Sequence, residues 1–416
     1  MKQKLNQLVG ENKKIIENYF YMTFLQVLNS FFYLLLYPYL IRVLGSESYG
    51  LYIYVTSIIT YYIFLINFGF DLPATRLIAI NIDNKKQLNS IVSTVFISKN
   101  ILFFISTLIF LVLLFCLPVM KNNRYLFLAS FLSVYSYVLL PVWFFQGIQD
   151  LKAVTIIQLV FKILSIPLIL TMVKESEDLI NYAIIVSLTT FFSSLTVFMI
   201  VRLKYNLKIK LISIIEIKKL FNESRPFFYS SLAATIKESS VPIILGSYFG
   251  MKEVAIYDLA NKIIMVPRTL FMSVNAAIFP KLIANINKKV IRKIIQVEYL
   301  VAFIAILLIA LFGKYITRLL GGPELIQAYY LSIPLSLTIM SWLVVGAYIN
   351  FTFIPNNLNY LVTINQLLAT AVFFITCIGG LHLIWESIYM MGIAMALAAL
   401  VEILFCVYAV KRLKLL

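Results

Sequence analysis

Five basic side chains lie inside runs of sequence that are otherwise apolar enough to cross a lipid bilayer: Lys99, Lys162, Lys237, Lys262 and Arg268. A cation at the centre of a transmembrane helix costs about 2.5–3.5 kcal/mol on insertion scales. Ammonium and guanidinium groups bind carboxylates and phosphates by charge-assisted hydrogen bonds. Each of these five cations therefore requires an acidic partner, an anionic ligand or contact with water.

The elements that hold these cations are predicted transmembrane helices. The chain has 416 residues, of which 62% are hydrophobic, and a mean hydropathy of +0.93, whereas soluble domains are about 45–50% apolar. A spanning helix needs about 20 apolar residues. Twelve runs meet this requirement: 18–41, 50–70, 92–117, 125–146, 153–173, 181–201, 226–249, 254–279, 296–313, 326–352, 359–380 and 385–410. We therefore predict an all-α membrane protein with about twelve spans.

The distribution of Lys and Arg predicts the orientation of these spans. The basic N-terminus precedes an apolar run that is too long for a cleaved signal peptide, so we interpret it as a retained first span. With that N-terminus inside, 23 of the 30 Lys and Arg residues outside the spans lie in cytoplasmic segments, as the positive-inside rule requires. Both termini are predicted to be cytoplasmic. The net charge of +17 then reflects orientation and anionic lipid head groups, not nucleic-acid binding.

The sequence shows no pattern typical of an enzyme. His382 is the only histidine, and Cys116, Cys377 and Cys406 are too scattered to form a metal site or a disulfide framework. A Gly-rich phosphate loop is absent, which argues against ATP-driven pumping. No predicted loop is long enough for a catalytic domain. The sequence predicts a non-enzymatic protein without cofactors, whose function resides in the membrane bundle.

The two halves of the chain share a short repeat. Gly45 and Gly250 each end a predicted span, and Tyr52 and Tyr257 each follow seven residues later. Both pairs are offset by 205 residues, close to half the chain. Parallel repeats of this kind are typical of transporters, which bind substrate at the interface between the repeats. The predicted division is a six-helix lobe over 1–203, a basic cytoplasmic connector over 204–225 and a second six-helix lobe over 226–416.

Polar residues recur along one face of three predicted spans. The spacing of three, four or seven residues places them on one side of each helix. They are Gln26, Asn29, Tyr33 and Tyr37 in the first span, Thr56, Thr60, Asn67 and Asp71 in the second, and Asn261, Arg268 and Asn275 in the eighth. One interpretation is a shared aqueous cavity. The alternative is that such residues join helices through hydrogen bonds worth about 0.6–2 kcal/mol each.

Depth separates the five cations. Lys99 lies near the cytoplasmic end of its span, where a long side chain can reach the interface. Lys162 is about ten residues into its span, or about 15 Å at 1.5 Å per residue. Lys237 and Arg268 are similarly deep. Lys262 follows Asp258 by four residues, which is the spacing of an ion pair on a helix.

The deep acids are fewer than the deep cations. Glu238, Asp258 and Glu402 stand against Lys162, Lys237, Lys262 and Arg268. Adjacent residues do not face each other on a helix, so Lys237 and Glu238 are expected to find different partners. The surplus of cations favours an anionic substrate.

Three segments resemble the polysaccharide flippases of the Wzx or O-antigen type. They are PVWFFQGIQ at 141–149, FGFDLPATRLIA at 68–79 and VAIYDLANKI at 254–263. That family belongs to the superfamily of multidrug and toxin extruders and lipid II flippases, and the resemblance covers nearly the whole chain. It implies two six-helix lobes in a V around a cation-lined cavity in the bacterial inner membrane. The implied activity is transfer of an undecaprenyl-pyrophosphate-linked oligosaccharide to the periplasmic leaflet.

The resemblance and the depth argument together define a candidate site. Arg76, Gln146 and Asp258 match family motifs, whereas Lys162, Lys237 and Arg268 rest on depth and helical face. The residues predicted to bind substrate are Arg76, Lys162, Lys237, Arg268, Lys262, Gln146 and Asn261, and those predicted to couple ions or gate are Asp258 and Glu238. Implied partners are the lipid-linked oligosaccharide, membrane lipids, a polysaccharide polymerase and a chain-length regulator.

Three alternatives remain open at the level of sequence. A drug or cation antiporter of the same superfamily would be expected to have an acid-rich cavity. A membrane-embedded polymerase or glycosyltransferase would need a long loop outside the membrane. A scaffold protein of polysaccharide assembly would leave the buried cations without a function.

Overall fold

A computed structural model of the chain describes residues 2–283, 288–356, 358–383 and 387–416. Within these ranges the side chains of residues 2–20, 22–23, 25–26, 29–31, 33, 272–283 and 381–383 are not described. The predictions made for Gln26, Asn29, Tyr33 and Asn275 therefore lie outside the described side chains, and so does the side chain of His382.

All regular elements in these ranges are helical. The α-helices are α1 Lys2–Asn67, α2 Asp71–Ile80, α3 Lys85–Cys116, α4 Pro118–Asn122, α5 Arg124–Leu139, α6 Val142–Gly147, α7 Leu151–Met172, α8 Leu179–Leu203, α9 Ile214–Tyr248, α10 Met251–Ile283, α11 Lys288–Gly321, α12 Gln327–Tyr348, α13 Asn359–Leu383 and α14 Tyr389–Arg412. The predicted all-α membrane fold is confirmed.

Nine stretches among the described residues are long and apolar enough to span a membrane. The first of them, Leu34–Ile80, contains parts of two predicted spans. The helices α9 and α10 are equally long but carry the charged residues singled out above. Together these helices account for the twelve predicted spans.

The chain divides into two compact units. Unit 1 comprises residues 1–25 and 55–229, and unit 2 comprises residues 26–54 and 230–416. The lobe boundaries suggested by the repeat remain a prediction.

In unit 1, α8 packs against α5 and α7, and α2 packs against α6 and α3. An aromatic cluster lies in its core: the rings of Phe110 and Phe131 stack with centroids 4.0 Å apart, and Tyr62 meets both edge-on. By contrast, Phe104, Val112 and Phe115 on α3 are exposed. A continuous exposed apolar surface on a long helix is what lipid contact requires.

In unit 2, α12 packs against α10, α11 and α14, and α13 packs against α14. Buried Ala394, Ala398 and Ala399 line α14. Small residues let helix backbones approach closely, which is the main source of packing energy between helices in lipid.

The glycines of the repeat end helical segments, as predicted. Gly45 interrupts α1 with φ 77° and ψ 163°, and Gly250 separates α9 from α10 with φ 123°. Positive φ is readily adopted only by residues without a Cβ. The two repeat segments also contact each other in unit 2, because Gly50 lies against Met251 and Ala255. Ala255 is the residue that the 205-residue offset pairs with Gly50.

One predicted span is interrupted, and part of the predicted connector is helical. The span predicted at 125–146 is broken after Leu139, because Pro141 lacks the N–H that would continue the helix. The connector predicted at 204–225 becomes helical at Ile214. Its first part is bound to α3, since the backbone N–H groups of Lys208 and Lys210 donate to the side chains of Asn89 (2.7 Å) and Ser93 (2.9 Å).

Candidate functional site

Five of the predicted site residues carry charge within unit 2, on α9 and α10. The first group is built around Lys262, which donates to the carboxylate of Asp258 one turn earlier. Lys262 also donates to the Tyr49 hydroxyl at 3.0 Å, and Tyr49 donates to Asp258 at 3.1 Å. The predicted pairing of Asp258 with Lys262 is confirmed, and Tyr49 joins it from the segment that follows Gly45.

The second group is a buried ion pair between α9 and α14. Lys237 donates to Glu402 at 2.6 Å, and both side chains are less than one tenth exposed. The other carboxylate oxygen of Glu402 accepts from Ser341 on α12. Lys237 therefore has Glu402 as a tightly bonded partner. The expectation that Lys237 does not pair with the adjacent Glu238 is confirmed.

The third group is more open. The guanidinium of Arg268 lies 4.0 Å from the carboxylate of Glu238, whose side chain is 42% exposed. The Arg268 Cζ atom lies 3.1 Å from the centroid of the Trp342 ring. A guanidinium stacked on an aromatic face is oriented by it and keeps its N–H donors in the plane of the group. The two neighbours of Arg268 are thus Glu238 and Trp342. Because the distance to Glu238 is long, an anionic ligand would replace this carboxylate more easily than it would displace the Trp342 ring.

These three pairs change the electrostatic interpretation of the sequence. Each of the deep cations Lys237, Lys262 and Arg268 has an acidic neighbour in unit 2. Within these three pairs the formal charges cancel, so the pairs themselves contribute no surplus of positive charge. An anionic ligand in unit 2 would have to exchange with a carboxylate rather than meet isolated cations.

Two further cations lie in unit 1. Lys162 is half-buried and is the twelfth residue of α7, close to its middle, as expected from the sequence. Lys99 is 2% exposed and donates to Asn67 (3.0 Å), to Asp71 (3.4 Å) and to the carbonyl of Tyr137 (3.4 Å). The expectation that Lys99 reaches the interface is therefore wrong, because its side chain turns into the bundle toward three acceptors.

Arg76 and Gln146 lie on the two packed helices α2 and α6 of unit 1. Arg76 is exposed, whereas Gln146 is half-buried and accepts a long hydrogen bond of 3.4 Å from Thr75, the residue before Arg76. Thr75 also donates to the Trp143 carbonyl at 3.2 Å. The packing is close, since a Cβ on Gly147 would meet Ile78 at 2.6 Å. The family-like segments 68–79 and 141–149 thus form one local structure.

The end of α8 supports this structure from outside the predicted spans. Tyr205 donates to Asp150 at 2.7 Å and packs its ring against Phe144 and Phe145. Burial, and then the hydrogen bond to Asp150, raise the pKa of the Tyr205 phenol.

Sequence reasoning missed several partners. Glu402 was counted among the deep acids but was not assigned to the site, and Tyr49, Ser341 and Trp342 were not singled out. The signal for Glu402 was its position as a single acid in an apolar span. The others carried no such signal. Asn261 is half-buried on α10, next to Lys262.

Known proteins are similar to this chain in sequence. The family described as polysaccharide biosynthesis protein matches residues 15–285, more than half of the chain. A candidate O-antigen transporter of Escherichia coli (strain K12) is 27% identical over 282 residues, which cover 68% of each chain. A second candidate O-antigen transporter, of Shigella dysenteriae, is 26% identical over 258 residues, covering 61% of this chain and 64% of the relative.

Solved structures are similar to it in fold. An inward-facing multidrug resistance MATE family transporter of the MOP superfamily superposes with a TM-score of 0.70 at 16% identity, covering 94% of this chain and 95% of that one. A MATE protein in complex with MaL6 superposes with a TM-score of 0.65 at 16% identity, covering 97% of both chains. Identity this low establishes a shared transporter fold and leaves the substrate open.

Proposed function

We propose a function from one premise: the chain belongs to the polysaccharide biosynthesis protein family. It is a multi-pass membrane protein, and it is a transporter, not an enzyme. Within this family we assign it the role of a flippase. It moves an undecaprenyl-pyrophosphate-linked oligosaccharide, the repeat unit of an O-antigen or a capsule, from the cytoplasmic to the periplasmic leaflet by alternating access.

The physical need for such a protein is clear. A sugar unit that enters hydrocarbon loses its hydrogen bonds with water, and each uncompensated polar group costs several kcal/mol. The lipid tail can stay in the bilayer while the polar head passes through the protein. This function places the protein in the bacterial inner membrane with both termini cytoplasmic. A polysaccharide polymerase and a chain-length regulator would then act on the product.

The open ion pair of Arg268 with Glu238 carries this proposal. A pyrophosphate offers oxygens that can accept parallel hydrogen bonds from a guanidinium, and Trp342 already fixes the plane of that group. The carboxylate it must displace is 4.0 Å away and 42% exposed. Aromatic faces such as that of Trp342 also suit sugar rings.

The other site residues receive supporting roles. Lys162 in mid-helix and the exposed Arg76 are the positions where the diphosphate meets cations in unit 1. Lys237 and Lys262 each bond an acid, so we assign them, with Asn261, to the surroundings of Arg268. Gln146 positions the segment next to Arg76 through Thr75.

Energy would come from an ion gradient, from the substrate gradient or from a downstream reaction. Of the two residues predicted for coupling, Glu238 is the one with an accessible carboxylate. Protonation of Glu238 would weaken its attraction for Arg268 and favour substrate in its place. Asp258, the other candidate, is bonded to Lys262.

Reconstituted vesicles test the proposal. The vesicles contain a polyprenyl-pyrophosphate-linked oligosaccharide with a fluorescent sugar, and an impermeant quencher reports how much of it faces outward. We expect wild-type protein to accelerate exchange between leaflets and Arg268→Ala to lose at least nine tenths of that rate. Lys252→Ala, at an exposed lysine on the same helix, is the matched control.

Two outcomes would contradict it. Wild-type protein that leaves the lipid-linked sugar in place while it exports a cationic dye would favour the drug antiporter. Equal rates for wild type and Arg268→Ala would remove Arg268 from the substrate site.

A further inference from the structure

The cluster around Lys262 has the composition of a binding site for a small cation. Its ammonium is surrounded by the carboxylate of Asp258, the hydroxyl oxygen of Tyr49 at 3.0 Å and two aromatic rings. The ring centroids of Tyr37 and Tyr49 lie 5.1 Å and 5.5 Å from Nζ. A cation within about 6 Å of a ring centroid is attracted by the ring quadrupole.

The cage, formed by Tyr37, Tyr49 and Asp258 around the Lys262 ammonium, is also held by contacts that do not involve the lysine. Tyr37 and Tyr49 are 0% and 3% exposed and stand edge to face, with centroids 5.3 Å apart and planes at 81°. Tyr37 is further held by donating its hydroxyl hydrogen to the carbonyl of Ala255 on α10 at 3.3 Å. Tyr49 is oriented by donating to Asp258, and its hydroxyl oxygen accepts from the Lys262 ammonium.

The cage also ties together three segments of unit 2. Tyr37 precedes Gly45, Tyr49 follows it, and Asp258 and Lys262 belong to α10. The same segments meet at the contact of Gly50 with Met251 and Ala255. A positive charge in the cage therefore holds the segments before and after Gly45 against α10.

We propose that Lys262 is a resident cation that fills a primary-ammonium site formed by Asp258, Tyr37 and Tyr49. Because the lysine is covalently part of α10, the flippase needs no cation from solution at this position, and Asp258 does not serve as its coupling acid. The cage demands N–H donors as well as charge, since Asp258 and the Tyr49 oxygen are acceptors. Removal of the side chain should leave a site that methylammonium occupies.

A binding experiment tests this independently of transport. The thermal midpoint of purified Lys262→Ala is measured in methylammonium chloride and in tetramethylammonium chloride, which has the charge without the N–H groups. We expect Lys262→Ala to be stabilised saturably by methylammonium, with an apparent affinity at least tenfold higher than for tetramethylammonium. Three proteins should respond equally to the two salts. They are the wild type, Lys262→Met, whose side chain fills the cage, and the double variant D258N/K262A.

Each outcome of this binding experiment supports or contradicts the proposed ammonium site. Equal responses to the two salts, or a wild-type response like that of Lys262→Ala, would overturn the proposal. A Lys262→Ala protein that folds only in methylammonium would support it, and one that folds in neither salt would contradict it.

A second experiment measures transport, and it rests on the proposed flippase function. In vesicles, methylammonium should raise the flipping rate of Lys262→Ala at least tenfold and leave wild type and Lys252→Ala unchanged. If wild type does not flip the lipid at all, the flippase function fails while the binding result still stands. If wild type flips, Lys262→Ala does not, and methylammonium binds without restoring the rate, the resident-cation role in transport is wrong.

Discussion

Glu402 accepts a 2.6 Å hydrogen bond from Lys237, although 165 residues separate them in the chain. Because Ser341 donates to the same carboxylate, this group connects α9, α12 and α14 within unit 2. Its burial distinguishes it from the open pair of Arg268 with Glu238. We therefore expect the two pairs to respond differently to substitution.

Replacing Lys237 with Met should destabilise the protein. Loss of one member of a buried ion pair leaves an uncompensated charge and costs about 3–5 kcal/mol. The double variant K237M/E402M, which removes both charges, should recover much of that loss. The thermal midpoint of the detergent-solubilised protein, followed by size-exclusion retention, measures both effects, with Lys252→Met as the exposed control. A midpoint of Lys237→Met equal to that of wild type would show that this pair does not stabilise unit 2.

The membrane fold was predictable because its signal is local and strong. A run of about 20 apolar residues is sufficient to identify a spanning helix, and Gly45 and Gly250 marked helix ends by residue type alone. The pairing of Asp258 with Lys262 was predictable for the same reason, since four residues place both on one helical face.

The partners of the other cations were not predictable from one sequence. Lys237 bonds an acid on α14 and Arg268 stacks on Trp342 of α12, and no spacing rule relates residues so far apart. Lys99 shows a second limit. Its depth suggested a route to the interface, but the rotation of α3 directs the side chain toward Asn67 and Tyr137 instead.

Replacing Glu238 with Gln should strengthen binding of a pyrophosphate ligand. The carboxylate competes for Arg268 from a partly exposed position, where an ion pair is worth about 0–1 kcal/mol, so the affinity should rise by up to about fivefold. Arg268→Lys should weaken binding, because an ammonium cannot donate two parallel hydrogen bonds or stack on Trp342 as a guanidinium does. Titration of purified protein with a short-chain polyprenyl pyrophosphate measures both. Unchanged affinity in both variants would place the diphosphate elsewhere.

Adding a side chain at Gly50 should disrupt the contact between the repeat segments. A Cβ there would lie 1.7 Å from the Met251 carbonyl oxygen, so Gly50→Ala forces the two backbones apart. Gly379→Ala on α13 is the matched control, because nothing lies within 4 Å of its Cβ position, and alanine there should be neutral or stabilising by up to about 1 kcal/mol. Thermal midpoints that fall equally in the two variants would show that close packing at Gly50 is not the cause.

Replacing Lys99 with Met should lower the stability of unit 1. The substitution keeps the apolar stem and removes three acceptor contacts, which leaves Asn67 and the Tyr137 carbonyl without this donor at a cost of about 1–3 kcal/mol. Lys86→Met, at the exposed start of the same helix, should have little effect. A Lys99→Met midpoint that matches Lys86→Met would show that the contacts of Lys99 do not stabilise unit 1.

Arg76 is the site residue whose function can be tested with the least effect on folding. Its side chain is exposed on α2, so Arg76→Gln should change the free energy of unfolding by no more than about 0.5 kcal/mol. If Arg76 is a first contact for the diphosphate, the variant should need more lipid-linked sugar to reach half its maximal flipping rate, while the maximal rate stays the same. Arg202→Gln, at an exposed arginine near the end of α8, controls for the loss of one positive charge. A reduced maximal rate with unchanged substrate dependence would contradict capture by Arg76 and indicate that this residue acts after the substrate is bound.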